Sequence, residues 1–115
     1  MTGLVGSTVN FTCSFSGDVR RVVWGITSDG SHYLDYELVS LHKAGSVALV
    51  LPSEYAGRVN GSRSSNSSSG HAIFRLSNIR KGDEKFYTCL IRPTIPDETS
   101  HYDYVRLFVE GRFIV

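Results

Sequence analysis

The 115-residue sequence predicts an all-β domain, a sandwich or a barrel. Three observations carry this expectation. Apolar and polar residues alternate with a period of two in several short segments. Turn-forming clusters separate those segments at regular spacing. No stretch repeats apolar residues at i, i+3, i+4 and i+7 over three capped helical turns.

The elements follow in order. Val9-Asn10-Phe11-Thr12-Cys13 alternates, so one face of that strand meets a core. Ser16-Gly17-Asp18 supplies a turn, and Val22-Val23-Trp24-Gly25-Ile26 is a short apolar run rich in β-branched residues. Asp29-Gly30 precedes the candidate strand Tyr36-Glu37-Leu38-Val39-Ser40-Leu41, and Ala44-Gly45 precedes Ala48-Leu49-Val50-Leu51. The serine-rich run from Gly61 to Gly70 offers no apolar surface to bury and is expected as a solvated loop. Ile73-Phe74-Arg75-Leu76 alternates again, and Lys81-Gly82-Asp83 makes a further turn. Val105, Leu107 and Val109 alternate with Arg106 and Phe108 in the last strand.

Composition narrows the class. Apolar residues make up 41%, charged residues 20%, and the net charge is +1. This is globular composition for one domain, without the cationic surplus of a nucleic-acid binder. No apolar run approaches the ~20 residues that span a bilayer. Met1-Thr2-Gly3-Leu4 lacks the basic and apolar regions of a signal peptide, so a fragment of a larger protein is expected.

Cys13 and Cys89 are the two cysteines, too far apart for a CxxC motif. Two unrelated buried thiols and one long-range disulfide are both open readings. Asn10-Phe11-Thr12, Asn60-Gly61-Ser62 and Asn66-Ser67-Ser68 are acceptor patterns for N-glycosylation. With a disulfide they favour an extracellular, oxidising location.

One constellation resembles a known family. Trp24 follows Cys13 by eleven positions, and Asp83-Glu84-Lys85-Phe86-Tyr87-Thr88-Cys89 reads D-x-x-x-Y-x-C. Gly6 to Cys13 fits G-x-x-V-x-hydrophobic-x-C. Together these resemble an immunoglobulin-superfamily domain of the variable (V-set) type. The resemblance implies a two-sheet antiparallel Greek-key β-sandwich over residues 3–110, with 111–115 as a linker or tail. It implies a Cys13–Cys89 disulfide with Trp24 packed against it, Tyr87 in a tyrosine corner, and Arg58 paired with Asp83. Strand A is expected to be short or missing, because 12 residues precede Cys13. No Phe-Gly-x-Gly or Trp-Gly-x-Gly follows Cys89, which argues against a rearranged antigen-receptor domain.

Catalytic and metal motifs are not found. His32, His42, His71 and His101 are scattered without metal-ligand spacing, and no nucleophile elbow or phosphate loop occurs. No enzyme, cofactor or metal is expected. Alternation from Cys89 and from Val105 turns Leu90, Arg92, Tyr102, Tyr104, Arg106 and Phe108 outward on one sheet. Aromatic residues with arginine are what protein interfaces enrich. The resemblance implies recognition of another immunoglobulin-like domain, a second copy included, through this front sheet of a cell-surface receptor or adhesion protein. The alternative is a module that captures glycan or a microbial surface with its loops, using Arg20, Arg21 and Arg92. The parent is expected at the cell surface as a single-pass membrane protein, or secreted.

Overall fold

A computed structural model describes residues 1–28, 34–43, 47–49, 53–65, 69–94 and 101–111. The strands are β1 (Thr2–Leu4), β2 (Val9–Ser16), β3 (Val19–Thr27), β4 (Tyr36–His42), β5 (Val47–Leu49), β6 (Val59–Ser65), β7 (Ser69–Leu76), β8 (Phe86–Pro93), β9 (His101–Arg106) and β10 (Phe108–Glu110). Single 3₁₀ turns occupy Ser53–Tyr55 and Lys81–Asp83. The back sheet has the order β2-β7-β6, and the front sheet β5-β4-β3-β8-β9. The two antiparallel sheets pack as a sandwich. The three-residue β1 pairs parallel with β10, Thr2 opposite Phe108.

The core follows from alternation. On β2, Phe11, Cys13 and Phe15 are buried, while Asn10, Thr12 and Ser14 face solvent. On β7, Ala72, Phe74 and Leu76 are buried. Between the sheets Trp24 packs 5.2 Å from Phe11, 5.4 Å from Phe74 and 5.6 Å from Tyr87, ring centre to ring centre. Each aromatic pair adds about 0.5–1.5 kcal/mol beyond its area burial. The Cys13–Cys89 disulfide ties β2 to β8, closing 76 positions of chain.

The serine-rich run departs from the sequence expectation. It is a hairpin rather than a solvated loop: β6 and β7 pair from Val59↔Leu76 to Ser65↔Gly70. The backbone ladder holds it, so side-chain burial is not needed there. Its inward glycines are spaces for neighbours. A Cβ on Gly61 would stand 2.9 Å from Phe74 Cδ1, and one on Gly70 would stand 2.6 Å from the Phe15 ring. Arg63, also on β6, donates to the Val19 carbonyl (3.0 Å) and the Leu41 carbonyl (3.4 Å) and lies 5.1 Å from the centre of the Phe15 ring. One guanidinium thus clasps both sheets at this end.

Candidate functional site

One end of the sandwich is fixed by a buried ion pair. Arg58 Nη1 and Nη2 donate to the two Asp83 carboxylate oxygens at 2.7 and 3.0 Å. The remaining Arg58 donors reach the carbonyls of Glu54, Ser77 and Asn78, and the Arg80 N–H donates to Asp83 at 2.9 Å. Arg58 is 8% exposed and Asp83 3%, so the pair is desolvated but fully hydrogen-bonded. Burial alone would raise the Asp83 carboxyl; the hydrogen bonds from Arg58 and Arg80 outweigh it and hold the group below its ordinary value. The same carboxylate raises Arg58 further. Tyr87 donates its hydroxyl to the Asp83 carbonyl at 2.7 Å, the geometry of a tyrosine corner. Burial pushes that hydroxyl well above its usual range.

With this end and the disulfide fixing β8, the register across the front sheet is set. Leu90 lies opposite Val23 and Tyr102, Thr88 opposite Gly25 and Tyr104, and Phe86 opposite Thr27 and Arg106. Leu107 and Val109 point inward and are buried. Tyr102 (47%), Tyr104 (51%) and Phe108 (50%) are half exposed on the outer face. The Arg106 guanidinium sits 5.0 Å from the Phe86 ring centre and 5.6 Å from that of Phe108. Phe86 and Tyr104 meet edge to face at 5.9 Å. The result is a continuous aromatic strip with a cation held in it.

Two expectations about this face are corrected. Leu90 does leave the sheet on the outer side, yet it is only 6% exposed. Thr88 and Arg92 flank it along β8, and Val23 and Tyr102 flank it across the sheet, so it forms floor rather than surface. Arg20 and Arg21 are not in a loop. Gly17 and Asp18 alone connect β2 to β3, and both arginines lie in β3. Arg20 is exposed at an irregularity in the pairing with β8. Arg21 faces the front and holds Glu37 through both carboxylate oxygens at 3.2 and 3.3 Å. Arg92 is on the sheet directly opposite Arg21.

Phe86 shares the outward phase of β8, as alternation from Cys89 predicts. Glu37 is the carboxylate that meets an arginine of this face, and that arginine is Arg21; a bulge in the β3–β4 pairing lies between Trp24 and Gly25. Of the three glycosylation sequons, Asn10 and Asn60 are exposed on strands. Asn66 lies outside the described residues, as do the 95–100 segment and the Asp29-Gly30 and Ala44-Gly45 turns. Among the described residues no cluster of His, Cys, Asp or Glu could hold a metal ion. No helix among them is long and apolar enough to cross a membrane.

The fold is the immunoglobulin variable type. A solved domain of a VGSC beta subunit, from a study of multimeric cell-adhesive interactions, superposes with a TM-score of 0.69 at 15% identity, covering 96% of this chain and 89% of that one. Murine CRIg superposes with a TM-score of 0.68 at 16% identity, covering 98% of this chain and 92% of that one. No family model matches the sequence, and no curated protein does. At these identities the likeness defines the fold.

Proposed function

We propose that this chain is a non-catalytic, extracellular recognition domain that binds another immunoglobulin-like domain through its front sheet. The proposed unit is 3–110, with 111–115 as linker and glycans on Asn10 and Asn60. One observation carries the reading: Tyr102, Tyr104, Phe86, Arg106 and Phe108 form one accessible strip on a rigid sheet. A sheet face turned only to solvent is normally polar. Tyrosine and arginine dominate the energetics of protein interfaces. The disulfide accords with an oxidising compartment. The adhesive interactions described for the VGSC beta subunit agree with an immunoglobulin-like partner.

A strip of this size gains free energy from apolar burial at about 25 cal/mol per Å². Association costs several kcal/mol of lost freedom, so a single domain should bind at roughly micromolar affinity or weaker. Display in many copies offsets that weakness. The test is a multivalent display of the domain against a panel of purified immunoglobulin-like ectodomains, itself among them. Tyr104→Asp should abolish any binding seen with the parent, and Arg75→Asp on the back sheet should leave it. Binding that survives Tyr104→Asp, or no binding to any panel member, rejects the reading.

A further inference from the structure

Among the described residues, one corner of the front face carries an unbalanced charge. Arg21 and Arg92 stand directly opposite each other on β3 and β8, both pointing off the sheet. Like charges in that position repel and need a counter-ion. Arg21 has one, Glu37, at 3.2 Å. Among the described residues Arg92 has none. The Nε atoms of both arginines are closed to solvent and have no hydrogen-bond partner. A buried donor left unsatisfied is costly, and a guanidinium donor more so. Among the described residues, Asp18, just before β3, is taken by Lys43 at 2.6 Å. The floor of the corner is Val23 and Leu90, sealed at 0% and 6% exposure. An ionic contact above such a floor is weakly screened. Tyr102 borders it.

We propose that the Arg21–Arg92 corner receives one carboxylate side chain, aspartate or glutamate, from the partner domain. Two guanidinium groups with one internal carboxylate have room for one more, and the planar fork of arginine fits a carboxylate through paired N–H donors. The partner is then an acidic-faced domain rather than a second copy. On the outer side of the front strands the described carboxylate is Glu37, already held by Arg21; Asp103 on β9 lies opposite Cys89, out of phase with Tyr102 and Tyr104, and its Oδ1 accepts from the Tyr104 N–H, while Glu110 is on β10, outside that sheet. Each added copy would bring the same cationic surplus. The inference rests on the front face being the contact surface.

The test has two arms. In the first, the arginine Nε–H signals are followed by NMR while sodium acetate replaces sodium chloride at constant ionic strength. The Arg21 and Arg92 signals should shift saturably and those of Arg75 should not; Arg92→Gln should remove the Arg21 shift. Equal shifts at Arg75, or none at Arg92, overturn the site. Sialyllactose saturating at a hundredfold lower concentration than acetate or an N-acetyl-glutamyl peptide assigns the corner to an acidic sugar and also overturns it. The second arm uses the ectodomain panel. Arg92→Gln should weaken binding at least tenfold, and Arg92→Lys, which keeps charge but not the fork, should weaken it too. Loss with Tyr104→Asp but not with either Arg92 variant leaves the face standing and rejects the corner. Binding unchanged in all three variants rejects the face itself. Homotypic aggregation that depends on Arg92 makes the occupant a second copy and rejects an acidic-faced partner.

Discussion

Replacing Asp83 with alanine leaves the Arg58 guanidinium buried without its carboxylate. Both side chains are nearly closed to solvent, at 9% and 4%, and two hydrogen bonds of 2.7 and 3.0 Å join them. Removing one member of such a pair costs about 3–5 kcal/mol, because the other charge stays desolvated. For 115 residues the unfolding entropy is about 0.24 kcal/mol per degree, so Tm should fall by roughly 12–20 °C. Lys43→Ala, which removes an ion pair more than half exposed on both sides, should barely move it. The pH dependence has a definite sign. The folded Asp83 titrates below its ordinary value of 3.8, so its contribution is complete above that value and is lost as pH falls through the folded one. The gap between parent and variant, read by calorimetry, should be widest near neutrality and close below about pH 4. A Tm within 3 °C of the parent, or a gap that stays constant down to pH 2, would refute the reasoning.

Three further outcomes are expected. Opening the Cys13–Cys89 bridge by Cys→Ala at both positions should cost about 2–5 kcal/mol in a urea titration, since it frees a loop closed over 76 positions; an unchanged midpoint contradicts this. Tyr87→Phe removes the 2.7 Å bond to the buried Asp83 carbonyl and should cost about 1–3 kcal/mol by the same titration. Gly25→Ala places a Cβ against the Tyr36 carbonyl oxygen, where backbone rather than a flexible side chain must move. It should destabilise by at least about 1–3 kcal/mol and disturb the amide signals of β3 and β4; a native-like spectrum would mean the bulge absorbs it.

The sandwich was legible because strands with one buried face carry their register in the sequence. Val105, Leu107 and Val109 fix the outward phase of Arg106 and Phe108, and a slip of one residue would bury the arginine. Trp24, Tyr87 and the cysteines were legible through a resemblance, and the packing of Trp24 among Phe11, Phe74 and Tyr87 gives that resemblance its physical basis. The β6–β7 hairpin was not legible. Ser62 and Ser64 read as loop by composition, yet backbone pairing with β7 and the space left at Gly61 and Gly70 decide the matter. Leu90 illustrates a different gap. Alternation gives the side of the sheet, whereas exposure depends on the size of the flanking side chains, which come from other strands. Arg20 and Arg21 were misplaced because a turn signal does not give turn length. Arg63 carried no sequence signal at all: its partners are carbonyls of Val19 and Leu41, each more than 20 positions away.

The claim that the front sheet is the recognition surface is tested most directly by site-directed photo-crosslinking. A photoreactive phenylalanine analogue is placed at Tyr104 on the front sheet, at Arg75 on the back sheet or at Arg20 at the β2–β3 end. The displayed domain is then irradiated with its strongest partner from the panel. The account predicts a cross-linked product from Tyr104 and none from Arg75 or Arg20. Cross-linking from Arg75 or Arg20 with none from Tyr104 would contradict it.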